Sequence, residues 1–393
     1  MPFYRIINLF LFLFLWFTTA TSQNYPSKNY TAANELPNNA IRSILIDSNN
    51  SLWIGTENGV VKKENHVFKY FFEEDGLALN SCWAIAEDKN KKLWFGSYGE
   101  GLSIYDGFRF KVISEEEGLV HNEITELFTL GNQMFVGTSD GVSIIDINTY
   151  KVISLDLPSE EKLFRVQDFF EYRGQVYVAT YNSGIYRIQN KNSQAMLVKV
   201  NDHKFIYSVF VENDSIYSSN KGFFTKNAIA DYVTVGDTFP SERLGASIIW
   251  DYVQTGDQRT FAAAWGIYDS NGGIYEIVDG RMTSRASEFN VSSNEVISLA
   301  YDPTFEKLYA GTKGAGLFEI SLNPQIKFHE FQGNALGFAK TENTYALILN
   351  DAIVIKKDEK RQSITLAQLK MWQESYVLNT KLPLPEHRDD FMS

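Results

Sequence analysis

Three stretches of the chain repeat nearly the same phrase at a regular interval. They read LWIGTENG from Leu52, LWFGSYGEG from Leu93 and MFVGTSDG from Met134. Repeats of about 40 residues that contain short strands punctuated by glycine are typical of β-propeller blades, because one blade cannot bury its apolar faces without its neighbours. The spacing therefore predicts an all-β propeller, and function is expected on its loops.

The repeat continues through most of the chain. Each unit opens with an alternating apolar strand such as Cys82–Asp88, followed by a turn, a second strand, a glycine hairpin and two further strands. We predict a single propeller of four-stranded blades over residues 23–365, with eight blades favoured. Seven blades are the alternative, if the weak eighth unit near Ala346 belongs to a further propeller. The small residues that close the second strands lie 39 to 47 residues apart, at Gly55, Gly96, Gly137, Ala179, Ser218, Ala264 and Gly311.

Residues 29–39 repeat the end of a unit without the strands that should precede it. Such an orphan outer strand can complete the last blade beside strands from the C-terminal end of the chain. This arrangement would remove two exposed sheet edges. We therefore expect an N-terminal strand to close the ring.

The first 22 residues have the pattern of a signal peptide. Arg5 precedes an apolar core over 6–17, and the small residues Ala20 and Ser22 place a cleavage site after Ser22. An uncleaved anchor is the alternative, although this core is shorter than the roughly 18 to 20 residues of a spanning helix. We expect a periplasmic or secreted protein with no membrane span after signal removal. Residues 366–393 are expected to begin as a short helix and continue as a disordered tail.

Charge and cysteine content exclude several functions. The formal net charge of −12 argues against a nucleic-acid partner, which requires clustered Lys and Arg. Cys82 is the one cysteine, so no intrachain disulfide can form. Its place in an apolar strand predicts a buried thiol without a catalytic role.

Two successive repeats carry a family resemblance. The sequences IRSILIDSNNSLWIGTENGV from Ile41 and AIAEDKNKKLWFGSYGEGLSIYDG from Ala84 resemble the two-component regulator propeller repeat. The resemblance is fair around Met134 and Leu308 and loose in the other units. It implies an extracytoplasmic propeller like those that form the sensing half of bacterial hybrid two-component receptors, often recognising polysaccharide fragments. It also implies either a stand-alone relative or a truncated receptor whose membrane-bound signalling part is missing.

Candidate ligand contacts are sought where the repeat is broken. Trp53 and Trp94 recur at one point of the second strand, which favours packing between blades. The loops joining second to third strands and fourth to next first strands share one rim, the default ligand surface of a propeller. Aromatic side chains beside amides and carboxylates suit a carbohydrate, which offers apolar faces and hydroxyls. The candidates on this rim are Tyr98, Glu100, His121, Tyr181, Asn182, Trp265, Tyr268, Asp269 and Asn271.

Catalysis is the competing interpretation. Five histidines follow the signal segment without metal-ligand spacing, and no nucleophile, base and acid set can be recognised. We predict no cofactor, no metal and no enzymatic activity, with a glycan fragment as ligand. A histidine- or metal-dependent polysaccharide or macrocycle lyase and a protein interaction scaffold are the alternatives. The histidines are His66, His121, His203, His329 and His387.

Overall fold

The computed structural model describes fifteen parts of the chain. They are residues 25–64, 66–158, 163–191, 194–220, 223–233, 242–245, 248–266, 271–278, 281–323, 335–341, 344–349, 352–357, 360–365, 367–368 and 371. The predicted signal peptide, the candidates Tyr268 and Asp269, and nearly all of the predicted tail lie outside the described residues.

The described secondary structure is almost entirely β. One α-helical turn, α1, spans Ile229–Tyr232, and 3₁₀ turns span Glu73–Asp75 and Glu115–Glu117. The strands in chain order are β1 Ser27–Tyr30, β2 Ile41–Ile46, β3 Leu52–Thr56, β4 Gly59–Glu64, β5 Val67–Phe71, β6 Cys82–Glu87, β7 Leu93–Ser97, β8 Leu102–Tyr105, β9 Phe110–Ile113, β10 Ile124–Leu130, β11 Gln133–Thr138, β12 Gly141–Asp146, β13 Val152–Ser154, β14 Val166–Tyr172, β15 Gln175–Thr180, β16 Ile185–Lys191, β17 Gln194–Asn201, β18 Ile206–Glu212, β19 Ser215–Asn220, β20 Phe223–Ala228, β21 Glu242–Gly245, β22 Ile248–Gln254, β23 Thr260–Trp265, β24 Gly273–Val278, β25 Arg281–Ser284, β26 Val296–Asp302, β27 Lys307–Thr312, β28 Leu317–Ser321, β29 Ala335–Thr341, β30 Thr344–Leu349, β31 Ala352–Lys357 and β32 Lys360–Thr365.

Consecutive strands pair antiparallel into four-stranded sheets, as the repeat predicts. The sheets β2–β5, β6–β9, β10–β13, β14–β17, β18–β21 and β22–β25 each use four strands in chain order. A seventh sheet has the order β1-β28-β27-β26, with Ser27 opposite Ile320 and Tyr30 opposite Leu317. We call these seven sheets blades 1 to 7, starting from β2–β5 and ending with the sheet that contains β26.

The second strand of a blade is buried on both faces because it lies between two neighbouring blades. All five residues of β7, LWFGS, are buried. Gly96 provides the clearance that this packing needs, since a Cβ there would lie 2.5 Å from Ile124 Cγ2 of the next blade. Trp53 and Trp94 are 1% and 0% exposed, which confirms that they are framework residues.

Apolar cores join each blade to the next. Trp53 of blade 1 packs with Phe95 of blade 2 and with Cys82, whose thiol is buried as predicted. Equivalent clusters of buried side chains continue from blade to blade. A further cluster contains Ile41 of blade 1 together with Tyr309 of blade 7. Among the described residues, every blade therefore packs against two others.

The prediction of eight blades is wrong, and the alternative of seven is correct. The seventh sheet already has four strands, because β1 pairs with β28. Blade 1 packs directly against blade 7 through the cluster of Ile41 and Tyr309, which leaves no place for another blade between them. Strands β29–β32 form a sheet of their own in a second compact unit over residues 328–393.

Candidate functional site

One irregularity recurs in the first strand of every blade. In blade 2, Cys82 pairs with Ser97 and Ala84 pairs with Gly96, so Trp83 between them has no partner in the ladder. Such a β-bulge bends the strand and redirects the side chain of the extra residue. The equivalent residues in blades 1 and 3 to 7 are Arg42, Thr125, Gln167, Tyr207, Trp250 and Ile297.

These seven residues, which we call the bulge ring, line one cavity. The cavity has a volume of about 290 Å³ and receives lining residues from the first strands of all seven blades. It therefore lies on the central axis of the propeller. Aromatic or cationic side chains occupy four of the seven bulge positions, in blades 1, 2, 5 and 6.

Trp83 is held in a stack at one side of the cavity. Its ring lies nearly parallel to that of Tyr98, with centroids 4.0 Å apart and planes at 16°. The Arg42 guanidinium lies 4.6 Å from the Trp83 centroid. Arg165, which precedes β14 of blade 4, donates from Nη1 to the Tyr98 hydroxyl at 3.2 Å. We call Arg42, Trp83, Tyr98 and Arg165 the cationic stack.

A chain of aromatic rings follows the other side of the cavity. Tyr181 and Tyr207 have centroids 5.5 Å apart, Tyr207 and Trp250 are 5.4 Å apart, and Trp250 and Trp265 are 5.5 Å apart. The Lys313 ammonium lies 4.5 Å from the Trp265 centroid. We call Tyr181, Tyr207, Trp250 and Trp265 the aromatic arc, which extends over blades 4 to 6.

Carboxylates accompany the two arginines of the cationic stack. Arg42 forms an ion pair with Glu57. Arg165 Nη1 also donates to Ser139 Oγ at 3.3 Å, and the Ser139 hydroxyl donates to Glu123. These groups can donate to and accept from the hydroxyls of a ligand.

A carboxylate also accompanies the lysine at the end of the aromatic arc. The indole N–H of Trp265 donates to Glu295 Oε1 at 3.2 Å, while Lys313 covers the same ring. Cations and carboxylates thus lie close together on both sides of the cavity.

Three carboxyl groups lie one residue beyond the bulge in blades 3, 4 and 6. Asp168 accepts the Val209 N–H of the next blade at 2.8 Å, and Asp251 accepts the Leu299 N–H of the next blade at 2.7 Å. Burial raises the pKa of both Asp168 and Asp251 to about 7. Burial, followed by the charge of Asp168, also raises the pKa of Glu126. We call Glu126, Asp168 and Asp251 the floor carboxyls.

The structure places three of the sequence-predicted candidates against side chains that line the cavity, at an end that we call the cavity mouth. Each of them contacts a residue of the bulge ring through its aromatic ring. Tyr98 contacts Trp83, Tyr181 contacts Tyr207, and Trp265 contacts Trp250.

The other described candidates take part in local turns. The His121 ring accepts the Glu123 N–H through Nδ1 at 3.0 Å, and the Glu100 N–H donates to Ser97 Oγ. The Asn271 carbonyl accepts the Tyr275 hydroxyl at 2.9 Å. Asn182 lies half-buried in the turn after β15.

Sequence reasoning missed the bulge ring itself. Trp83, Tyr207 and Trp250 each lie near the start of the first strand of their own blade. Period-two alternation assigns these positions to a solvated face. The sequence does contain a signal for them, because large aromatic residues recur at strand positions where alternation predicts polar ones. The bulge explains them, because it turns this position towards the axis.

Two kinds of feature are absent from the described residues. No group of three or more His, Cys, Asp or Glu side chains there is arranged to hold a metal ion. No helix in the described parts has the length and apolar character needed to cross a bilayer.

Comparison with known sequences identifies the repeat. Residues 35–58 and 76–99 match the two-component regulator propeller family. A histidine kinase P4 from Formosa agariphila is 27% identical over 251 residues, which cover 56% of this chain and 18% of that protein. The chain thus spans less than a fifth of the length of this curated relative.

Solved structures share the fold at low sequence identity. The extracellular domain of a protein described as a putative hybrid two-component system of B. thetaiotaomicron aligns with a TM-score of 0.62 and 18% identity, covering 86% of this chain and 49% of that one. PorZ, a surface component of the type-IX secretion system of Porphyromonas gingivalis, aligns with a TM-score of 0.53 and 13% identity, covering 88% of this chain and 47% of that one. The chain spans about half of each.

Proposed function

We propose that this chain, which carries two-component regulator propeller repeats, is an exported binding module. It recognises an oligosaccharide at the mouth of its central cavity. The observation that carries this proposal is the aromatic arc, which lies beside hydrogen-bonding charged groups around one cavity. The module acts in a sensor or a sensor-like protein. Its location is the periplasm or the cell exterior.

The chemistry of the cavity mouth suits a sugar. Aromatic rings provide apolar surfaces for the C–H faces of pyranose rings, and Arg–Glu couples provide donors and acceptors for hydroxyls. The indole N–H of Trp250 lines the cavity without a hydrogen-bond partner among the described residues. A ligand hydroxyl would satisfy this donor, which is costly to leave unpaired.

Binding without turnover is the role that we propose. The carboxyls of Asp168 and Asp251 are each engaged by two backbone N–H groups, which supports a structural role for them. A polysaccharide or macrocycle lyase is the catalytic alternative. It would release unsaturated products from a polysaccharide in the presence of Mn²⁺ or Mg²⁺, and detection of such products would replace our proposal.

We propose that binding is passed to a membrane-bound signalling partner or to a further receptor portion. Support comes from the relative, a histidine kinase of which this chain matches 18%. A protein interaction scaffold is the alternative, and PorZ, which shares the fold, is described as a component of a secretion system. A downstream reading frame encoding a membrane helix and kinase would support the receptor.

We further propose that β1 closes the propeller ring. Its antiparallel pairing with β28 supports this, as does the Tyr30 hydroxyl, which donates to Glu319 of β28 at 2.9 Å. Lys63 Nζ of blade 1 lies 3.2 Å from Oε2 of the same carboxylate. Closure of this kind would join blade 1, blade 7 and the N-terminal strand at one point.

Binding is tested with residues 23–393 on an array of plant, algal and host oligosaccharides, followed by calorimetry on each hit. We expect Trp265→Ala and Trp250→Ala to weaken a hit by about 5-fold or more, because each removes an aromatic stacking surface worth about 1 kcal/mol. Phe108→Ala is the matched control, since Phe108 is 96% exposed in the turn between β8 and β9. No hit on the array, or equal losses in all three variants, would contradict the proposal.

A further inference from the structure

The cations at the cavity mouth are each matched by a carboxylate in the same contact network. Arg42 pairs with Glu57 directly. Arg165 reaches Glu123 through the Ser139 hydroxyl. At the end of the aromatic arc, the Trp265 ring contacts both Lys313 and Glu295. Within each of these three couples, one positive charge is matched by one negative charge.

The floor of the cavity has acidic groups without matching cations. In the described part of the chain, no Lys or Arg forms an ion pair with Glu126, Asp168 or Asp251. All three line the cavity. An anionic group entering from the mouth would approach these carboxyls in a partly dehydrated space, where like charges repel more strongly than in water.

We propose that the ligand is an uncharged oligosaccharide and that this cavity discriminates against glycans carrying carboxylate or sulfate groups. This inference rests on the proposed function, and it adds the chemical class of the ligand. The three matched couples at the cavity mouth can bind hydroxyls without adding a net charge that would attract an anion. The acidic floor, together with a chain net charge of −12, makes the approach of a polyanion unfavourable.

Charge selectivity is tested with pairs of tetrasaccharides that differ only at C6. The pairs are β-1,4-glucose and β-1,4-glucuronate, β-1,4-mannose and β-1,4-mannuronate, and α-1,4-galactose and α-1,4-galacturonate tetramers. Calorimetry at pH 8, above the pKa of Asp168 and Asp251, should show the neutral member of a bound pair binding at least ~10-fold more tightly in ~20 mM NaCl. In ~500 mM NaCl this ratio should decrease, because salt screens the repulsion.

The outcomes separate the two proposals. An acidic member that binds as tightly as its neutral partner, or more tightly, overturns the charge inference and leaves oligosaccharide binding intact. A ratio that does not change with salt also overturns it, because the discrimination would then be steric. If no member of any pair binds, the proposed function fails for these backbones, and the inference fails with it.

A variant tests whether the floor carboxyls cause the repulsion of acidic glycans. Asp251→Asn removes one floor charge and should raise the affinity for the acidic tetramer more than the affinity for its neutral partner. Asp214→Asn, at an exposed turn between β18 and β19, is the matched control and should leave the ratio of the two affinities unchanged. Equal effects of the two variants would overturn the assignment to the floor. If Asp251→Asn does not fold, the salt series on the native chain decides.

Discussion

The indole N–H of Trp53 donates to Asp47 Oδ2 at 2.8 Å, inside the blade, where both side chains are buried. Asp47 Oδ1 also accepts the N–H groups of Asn49 and Ser51. The repeated Trp and the repeated turn Asp are therefore one structural unit. Blade 2 repeats it, since the Trp94 indole donates to Asp88 at 2.9 Å.

Asp47→Asn tests this unit. We expect the free energy of unfolding to fall by about 1 to 3 kcal/mol, because an amide in place of the carboxylate cannot accept all three donors. Urea unfolding followed by tryptophan fluorescence measures the change. Asp214→Asn, at an exposed turn, should stay within about 0.5 kcal/mol. Equal stability of both variants would show that the pair contributes nothing.

Gly311 is needed where blades 7 and 1 meet. An added Cβ would lie 2.2 Å from Ser298 Oγ and 2.7 Å from Ile41 Cγ2. Gly311→Ala should therefore destabilise the protein by about 1 to 3 kcal/mol through overpacking. Gly314→Ala is the control, because nothing lies within 4 Å of its added Cβ. Thermal unfolding of the two variants decides, and similar melting temperatures would contradict this packing.

Stability should fall as pH rises from ~5 to ~8. Burial raises the pKa of Asp168 and Asp251 from 3.8 to about 7, so the folded state binds more protons than the unfolded state in this window. We expect a loss of at least about 1 kcal/mol in the free energy of unfolding. Urea unfolding at several pH values measures it. Asp251→Asn should reduce the loss, and an unchanged pH profile in this variant would exclude Asp251 as a cause.

Tyr30→Phe tests the contact of β1 with β28. It removes the buried hydroxyl that donates to Glu319, and we expect a loss of about 1 to 2 kcal/mol in the free energy of unfolding. Chemical unfolding of the variant measures this loss. Tyr70→Phe is the matched control, because the Tyr70 hydroxyl makes an exposed hydrogen bond to the Glu35 carbonyl. A control as damaging as Tyr30→Phe would argue against a special role for this contact.

Much of the fold follows from local pattern. The glycine-containing second strands and glycine hairpins predict four-stranded blades, because each depends on residues close in sequence. The number of blades does not follow, since it depends on contacts such as Ile41 with Tyr309, which are far apart in sequence. The unit near Ala346 has strands like the others, and its sequence alone does not reveal that it lies in a second compact unit.

The residues of the candidate site can be predicted from the sequence only in part, for a similar reason. Tyr98, Tyr181 and Trp265 interrupt the repeat on a loop or at a strand end, so comparison of repeats could find them. Trp83 and Trp250 lie within strands, where alternation assigns a polar outer face. Only the bulge, a feature of pairing between two strands, places them on the axis.

The bulge ring separates what folds the protein from what its cavity presents. Each ring residue lies between two ladder pairs that persist on either side of it, so its side chain can change while the blade keeps its pairing. The seven positions, one per blade, can therefore carry many combinations of side chains while the strands keep their pairing. Randomising positions 42, 83, 125, 167, 207, 250 and 297 would give a library in which new selectivity could arise without redesign of the fold.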